Sequence, residues 1–196
     1  MIGVTGGYAS GKSLVAGALQ AHGACLIDCD ALAREVVAPG TPGLASTVEK
    51  FGKDILLTDG SLDRKKLGAI VFTDEGKRKL LESILHPIIR ARVFELAAAE
   101  LDKNPGSAIV VEAAVMFESG LSDAIGVKIV VTCPRETQIQ RGMRRDWISR
   151  DDAVKRIAAQ WPLEKKASLA DYVIDNGGPA EATLAQVEEV WNKISS

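Results

Sequence analysis

The sequence has few of the residues that build disulfide frameworks or histidine-rich metal sites. Among its 196 residues there are three cysteines and two histidines. Cys25, Cys29 and Cys133 are odd in number and form no Cys-x-x-Cys pair. A disulfide framework or a zinc site needs paired or clustered ligands, so this pattern argues against both. We expect the three thiols to be reduced and mostly buried.

Long apolar runs and an excess of charge of one sign are also missing. No uninterrupted apolar stretch approaches the roughly 18 residues that a membrane-spanning helix needs. Met1 leads directly into a short β-prone segment, without the basic-then-apolar pattern of a signal peptide. The 24 Lys and Arg against 26 Asp and Glu give a net charge of −2, which provides no general attraction for nucleic acid. These absences predict a cytoplasmic protein that binds neither membranes nor nucleic acid.

The composition that is present, 46% hydrophobic and 26% charged, is typical of a globular domain. A chain of this length can bury a sizeable core but is too short for two independent ones. Short β-prone segments alternate along it with segments of helical periodicity. The β-prone segments are residues 2–5, 24–27, 108–111, 127–131 and 171–174, and the last helical segment is residues 180–194. Strands that alternate with helices predict a doubly wound α/β fold.

The β-prone segments disappear between residues 44 and 104, where helical patterns take over. Asp63 and Thr73 are of residue types that cap helices, and Pro87 indicates a further helix start. This block therefore predicts a helical insertion in the α/β fold.

The segment Gly6-Gly7-Tyr8-Ala9-Ser10-Gly11-Lys12-Ser13 fits the phosphate-binding P-loop motif G-x-x-x-x-G-K-[ST], between a predicted strand and a predicted helix. Its glycines let backbone N–H groups turn toward phosphate oxygens, and the helix N-terminus adds partial positive charge. Lys12 is predicted to reach the β and γ phosphates, and Ser13 to supply a hydroxyl to Mg²⁺. The alternative is a chance glycine turn before a helix, which would require all of the motif positions to agree by accident. The segment predicts nucleotide binding.

Residues 135–167 hold nine Lys or Arg and five acids, a net charge of +4. Such a run is either a solvated helical surface or a set of phosphate-binding side chains. Beside a P-loop the second interpretation is favoured, because a mobile Arg-rich lid excludes water and neutralises phosphoryl oxygens during transfer. The sequence has no Asn-Lys-x-Asp motif of the kind that reads guanine in GTPase switches. These features favour a compact P-loop kinase.

Acidic residues follow two of the predicted strands. Asp28 and Asp30 come after the second strand, at the edge where open α/β sheets bind ligands. A carboxylate there could orient or deprotonate an acceptor hydroxyl, whereas Asp30 could equally cap the next helix. Glu112 closes the strand at 109–111 and is a minor candidate for a place near the metal, with capping as the alternative.

A set of short motifs follows the P-loop in order along the chain. The set is Ile27-Asp28-Cys29-Asp30 with Ala33-Arg34, His86-Pro87, Phe117-Glu118-Ser119-Gly120, Gln138 to Arg141, Arg145-Asp146, Arg156, Gln160 and Ala170-Asp171-Tyr172-Val173-Ile174-Asp175-Asn176. Together with the P-loop, it resembles the dephospho-CoA kinase family along nearly the whole chain. A P-loop alone is shared by many enzymes, and the ordered set is far more specific.

The resemblance implies a P-loop NTPase fold, a doubly wound parallel sheet with a helical acceptor-binding insertion and an Arg-rich lid. Residues 1–196 would form a single kinase domain. Its parts would be a P-loop core at 1–33, 106–134 and 168–196, a helical CoA-binding part at 34–105 and a lid at 135–167. The implied reaction phosphorylates the ribose 3′-hydroxyl of dephospho-CoA with ATP and Mg²⁺, in a monomer or weak homo-oligomer.

The resemblance also implies roles for single residues. The ATP phosphates would be wrapped by Ala9, Ser10, Gly11, Lys12, Ser13 and Leu14, with Ser13 on the metal. Asp30 would activate the 3′-hydroxyl, and with it Lys12, Arg141 and Arg145 would be the catalytic residues. Arg141 would lie near the nucleotide, Asn176 would line the adenine pocket, and Arg34 and His86 would face the CoA side. From the sequence alone, His86 is better explained as a helix-boundary residue before Pro87.

The chain departs from the family pattern at three places. Ala114 replaces the proline of the family's Pro-Leu-Leu-Phe-Glu stretch, Leu14 replaces a threonine, and Tyr8-Ala9 replace a smaller or aliphatic pair. The P-loop residues Gly11 and Ser13 remain, so we expect the chemistry to be retained. Two other functions stay open on sequence: a P-loop kinase for another small hydroxyl or nucleoside monophosphate, and a binding protein that uses ATP as a switch.

Overall fold

A computed structural model describes residues 1–195 and has a five-stranded sheet at its centre. The strands are β1 (Ile2–Gly6), β2 (Cys25–Asp28), β3 (Ile109–Glu112), β4 (Val127–Thr132) and β5 (Tyr172–Asp175). Their spatial order is β2-β3-β1-β4-β5, and every neighbouring pair is parallel. The predicted α/β fold with a parallel sheet is confirmed.

Nine α-helices lie among the described residues. They are α1 (Lys12–Ala21), α2 (Cys29–Glu35), α3 (Pro42–Phe51), α4 (Arg64–Thr73), α5 (Glu75–Lys103), α6 (Arg135–Asp146), α7 (Arg150–Ala158), α8 (Leu163–Ala167) and α9 (Ala180–Ile194). Among the described residues, none of the helices combines the length and apolarity that crossing a bilayer requires. The helix predicted at 180–194 is confirmed at the same bounds.

The strand order places β1 between β3 and β4. From β1 the chain passes through β2 to β3 on one side, and later through β4 to β5 on the other. Ligands of open α/β sheets bind at the carboxyl ends of the strands where the order reverses in this way. The P-loop follows directly from the carboxyl end of β1, so the fold places it at this reversal point.

The chain divides into two compact units. The first comprises residues 1–28 and those from 99 onward, and it contains the sheet. Its core includes Val4, Val15, Leu19, Ile129 and Val187, all fully buried. Full burial of such an aliphatic side chain contributes about 1.5–3 kcal/mol to the free energy of folding. The packing of α1 and α9 against the sheet therefore stabilises the unit that carries the P-loop.

The second unit, residues 29–98, is helical and has its own core around Val37, Leu44, Ile55 and Leu67. Two helix starts in it follow from capping chemistry. Thr41 accepts a hydrogen bond from the Leu44 N–H at the start of α3, and Pro42 occupies the first helical position. Asp63 caps α4 by accepting from the Lys66 N–H, as predicted.

Two predicted helix boundaries in this unit are wrong. Thr73 is the last residue of α4, where its hydroxyl donates to the Ala69 carbonyl, and Asp74 accepts from the Lys77 N–H at the start of α5. Pro87 lies inside the 29-residue helix α5 rather than at its start. Pro87 and Ser83, whose carbonyl the proline leaves without an intrahelical donor, are both exposed. Water can therefore satisfy that carbonyl.

The three cysteines are free thiols, and two of them are buried as expected.

Candidate active site

The P-loop backbone can only be formed with a glycine at position 11. Gly11 has φ 93°, in the left-handed region that side chains rarely adopt. A Cβ at Gly11 would also collide with the side-chain amide of Asn176. Conformation and space therefore both require the glycine that the motif places here.

Asn176, which follows β5, is hydrogen-bonded to the backbone of the P-loop. Its side-chain Nδ2 donates to the Ser10 carbonyl at 2.8 Å, and its Oδ1 accepts from the Thr183 hydroxyl at 2.9 Å. The side chain is 4% exposed, so these contacts are shielded from water. The predicted adenine-pocket residue thus lies against the loop and holds its backbone in place.

Lys12 and Ser13 open α1 at the end of the loop. The Lys12 ammonium donates to the Gly7 carbonyl at 3.3 Å, so its side chain folds back over the loop. The Ser13 hydroxyl donates to Oε1 of Glu112 at 2.8 Å. Glu112 is the last residue of β3 and pairs with Val4 of β1, which brings this buried residue, 9% exposed, beside the loop.

The pair of Ser13 and Glu112 fits a magnesium ion. Mg²⁺ binds oxygen ligands, typically one or two carboxylates or hydroxyls together with phosphates. From the sequence, Glu112 is only a minor candidate for a place near the metal. The sequence signal for Glu112 is an acidic residue at the end of an apolar strand. Glu112 comes close to Ser13 only because β3 lies next to β1 in the sheet.

A cavity of about 360 Å³ opens beside the P-loop. Its walls bring together P-loop and α6 side chains: Ala9, Gly11, Ser13, Arg141, Arg144 and Arg145. Five of these six residues were predicted site residues, and Arg144 belongs to the basic segment from which the lid was predicted. Residues of the P-loop and three arginines of α6 therefore line one cavity.

Arg141 presents a buried donor at this cavity. Its Nη1 is inaccessible to water, meets no hydrogen-bond partner within residues 1–195 and lies 3.8 Å from where a Cβ on Gly11 would be, while the same guanidinium also hydrogen-bonds the Cys133 side chain. The hydroxyl of Ser10 in the P-loop is likewise buried and unpartnered in that part of the chain. A buried charged donor without an acceptor is costly, and the cost would fall if the Arg141 side chain turned toward an anion bound in the cavity.

Arg145 is held at the edge of the cavity by its neighbour Asp146. The Arg145 Nε donates to Oδ1 of Asp146 at 2.7 Å, and its guanidinium lies 5.1 Å from the centre of the Tyr8 ring. Hydrogen bonding to Arg145 lowers the pKa of Asp146 to about 2. The carboxylate is therefore ionised at neutral pH and binds the Arg145 guanidinium as an ion pair.

A buried ion pair holds the loop after β3, where Ala114 replaces the expected proline. The fully buried Lys166 ammonium lies 2.8 Å from Oε1 of Glu118 and donates to the Ala114 carbonyl at 2.7 Å. Burial lowers the pKa of Lys166. The Thr5 hydroxyl donates to the same carbonyl at 3.3 Å. These bonds fix the backbone that a proline would otherwise restrict.

The residues predicted for acceptor binding lie in the second unit. Asp30 is exposed in the first turn of α2, which begins at Cys29, so the interpretation of Asp30 as an N-cap is wrong. Arg34 is exposed in the last turn of the same helix. His86 is half-buried within α5, which makes the helix-boundary interpretation of this residue wrong. Asp28, the last residue of β2, belongs to the first unit and is in register with Glu112.

Comparison with known proteins gives consistent matches. The sequence model of the dephospho-CoA kinase family matches residues 1–181. A dephospho-CoA kinase of Geobacter sulfurreducens is 48% identical over 193 residues, which is 98% of either chain.

Solved structures match over the same length. A dephospho-CoA kinase from Campylobacter jejuni is 32% identical with a TM-score of 0.71, covering 99% of this chain and 96% of that one. The crystal structure of TT1252 from Thermus thermophilus is 30% identical with a TM-score of 0.80, covering 100% and 97%.

Proposed function

This chain belongs to the dephospho-CoA kinase family, and we propose how its residues divide the work of that family's reaction. The reaction is ATP-dependent phosphorylation of the ribose 3′-hydroxyl of dephospho-CoA, giving coenzyme A and ADP, the last step of coenzyme A synthesis. ATP is the phosphoryl donor and a small molecule is the acceptor. The observation that carries the residue assignment is the buried, unpartnered Arg141 nitrogen in a cavity shared with the P-loop.

The P-loop and the lid would bind the donor. The loop from Ala9 to Leu14 would wrap the ATP phosphates, with Lys12 leaving its contact with the Gly7 carbonyl to reach the β and γ phosphates. Arg141 and Arg145 would neutralise the charge that spreads over the transferred phosphoryl oxygens. Asn176 would act through the loop backbone that it holds, at the adenine side of the site.

Ser13 and Glu112 would hold Mg²⁺. When bound there, the ion neutralises charge on the phosphate oxygens. The carboxylate of Glu112 supplies the negative charge and the Ser13 hydroxyl supplies a neutral oxygen, a donor set that suits a hard cation.

The acceptor would be bound from the second unit. Asp30, exposed in the first turn of α2, would orient the 3′-hydroxyl and accept its proton. Arg34 and His86 would contact dephospho-CoA. Transfer is then a direct in-line displacement: the acceptor oxygen forms its bond to the γ-phosphorus as the bond to the ADP oxygen breaks. No phosphoenzyme is required.

The proposal also includes a cytoplasmic location, a monomer or weak homo-oligomer, and no nucleic acid partner. The net charge of −2 supports the last point, since affinity for nucleic acid rests mainly on Lys and Arg contacts to phosphates.

An acceptor panel tests the proposed function. ADP release from MgATP is measured without acceptor, with dephospho-CoA, with nucleoside monophosphates and with small sugars. We expect dephospho-CoA, and none of the other acceptors, to stimulate ADP release strongly. Stimulation by another acceptor would favour a different P-loop kinase, and slow ATP hydrolysis with every acceptor would favour an ATP-dependent switch.

A further inference from the structure

Tyr8 links the P-loop to the lid. Tyr8 and Ala9 of the loop share a buried apolar cluster with Ile139 of α6 and Ala153 of α7. Tyr8 is only 9% exposed. The P-loop and the two lid helices therefore share one apolar core.

Helix α6 leaves room for this ring. A Cβ at Gly142 would collide with the Tyr8 ring and lie 2.9 Å from its hydroxyl oxygen. Glycine is unfavourable inside a helix by about 1 kcal/mol relative to alanine. The helix tolerates it here because Tyr8 occupies the space, so the unusual tyrosine of the loop and the glycine of the lid are structurally matched.

The hydroxyl of Tyr8 also contacts the lid, through a hydrogen bond to Asp146. It donates to Oδ2 of Asp146 at 2.5 Å. The same carboxylate accepts from Arg145 at 2.7 and 3.1 Å and from Nη1 of Arg156 at 2.5 Å. The guanidiniums of Arg145 and Arg156 lie 5.1 and 5.6 Å from the centre of the Tyr8 ring. Asp146 is thus held between the P-loop and two lid arginines.

We propose that Tyr8 is a positioning residue for phosphoryl transfer: its hydroxyl fixes the Asp146 carboxylate, and Asp146 orients Arg145 at the P-loop cavity. This inference rests on the role proposed above for Arg145. It adds a residue of the loop whose effect is exerted through the lid.

Arg145 needs such an anchor because its side chain is 60% exposed. An exposed ion pair holds two flexible side chains only weakly, and here the two partners are also neighbours in sequence. Further bonds to the carboxylate, one from the buried Tyr8 hydroxyl and one from Arg156, fix its plane and, with it, the direction of the Arg145 guanidinium. The tyrosine is contributed by the same loop that would bind the phosphates, so the arginine is aligned to the loop itself.

The hydrogen bond persists over the working pH range. Burial and the bond to Asp146 raise the pKa of Tyr8, which keeps its hydroxyl protonated as a donor. Asp146, with its pKa near 2, remains an acceptor, and the hydrogen bond to Asp146 raises the pKa of Arg145, which stays charged. Tyr8 therefore acts through orientation, and its effect on turnover should be independent of pH between about 6 and 9.

The test is Tyr8→Phe, which keeps the ring and its packing and removes only the hydroxyl. We expect kcat to fall about three- to tenfold, with the KM for ATP changed by less than about twofold. The chain has two tyrosines, so Tyr172→Phe on β5 is a matched control with kcat at the wild-type value. Thermal unfolding of both variants confirms that they are folded.

The Arg145→Ala background separates positioning from packing. If Tyr8 acts through Arg145, Tyr8→Phe lowers kcat in the wild-type background and has no further effect in Arg145→Ala. Equal losses in both backgrounds, or a Tyr8→Phe enzyme with wild-type kcat, would overturn the inference. An Arg145→Ala enzyme with wild-type kcat would overturn the role proposed for Arg145 as well. If the wild-type enzyme instead proved to prefer another acceptor in the acceptor panel, the proposed function would fail while the inference about Tyr8 would stand.

Discussion

At the scale of single residues, the most informative atom is Nη1 of Arg141. It is buried beside Gly11, and within the described residues it has no hydrogen-bond partner. A guanidinium offers planar, paired donors that match phosphoryl oxygens, which an ammonium does not. The proposed role of residue 141 therefore requires the planar donors of arginine and not only its positive charge.

Arg141→Lys should consequently be a severe substitution. It keeps the positive charge and loses the planar donors, so we expect kcat/KM for ATP to fall about 100-fold in an ADP-release assay. Arg150→Lys is the matched control, because Arg150 forms an exposed pair with Glu136. A change of less than about twofold is expected there. Equal effects of the two substitutions would contradict the assignment of Arg141.

Glu112→Gln tests the magnesium site. The amide retains the size of the side chain and can still accept from Ser13, but it lacks the charge that attracts a cation. We expect the Mg²⁺ concentration for half-maximal turnover to rise about tenfold. Glu189→Gln on the exposed side of α9 is the control and should leave the Mg²⁺ dependence unchanged. An unchanged dependence in Glu112→Gln would remove Glu112 from the site.

At the scale of elements, the proposed lid is held by Asp146, the last residue of α6. Its pKa is lowered from 3.8 to about 2, chiefly by the hydrogen bond to Arg145. A pKa that is lower in the folded state than in the unfolded state stabilises the fold above the unfolded value. This stabilisation is lost as pH falls from about 4 to about 2.

Asp146→Asn should therefore lower the free energy of unfolding at pH 7 by about 2 kcal/mol. The difference from the wild type should shrink as pH falls from 4 toward 2, because the wild-type carboxylate is then protonated. Urea unfolding at several pH values measures both effects. A difference that stayed constant down to pH 2 would show that the ion pair is not its source.

Elements with strong local signals could be predicted from the sequence, and those decided by packing could not. The apolar runs of the strands and the periodicity of α9 are local, and both were confirmed. Pro87 is a local signal for a helix start, yet Ile88 and Ile89 pack against the core of the second unit and the helix continues through it. Tertiary packing overrides the preference of a single residue in this case.

At the scale of the whole molecule, the site joins residues that are far apart in sequence. The Ser13–Glu112 bond spans 99 positions and the Tyr8–Asp146 bond spans 138. The motif identifies Ser13, and the basic segment indicates the lid, but the sequence does not show which acid or which tyrosine meets them. The order of the strands supplies the first pairing, and the packing of the lid supplies the second.

The division into two units predicts that donor and acceptor functions can be separated. Asp30 lies in the helical unit, whereas the P-loop and lid lie in the sheet unit. Asp30→Asn should lower kcat by about 100-fold or more, because the proposed general base is lost, while the dissociation constant for ATP is unchanged. Calorimetric ATP binding and ADP release measure the two quantities. Wild-type kcat in this variant would contradict the role of Asp30.

The most direct test of the account is the position of the transferred phosphoryl group. The purified protein is incubated with MgATP and dephospho-CoA, and the product is examined by mass spectrometry and phosphorus NMR. We expect dephospho-CoA plus one phosphoryl group, attached at the ribose 3′-oxygen, in amounts equal to the ADP released. A phosphoryl group at another position, or ADP release without a phosphorylated product, would contradict it.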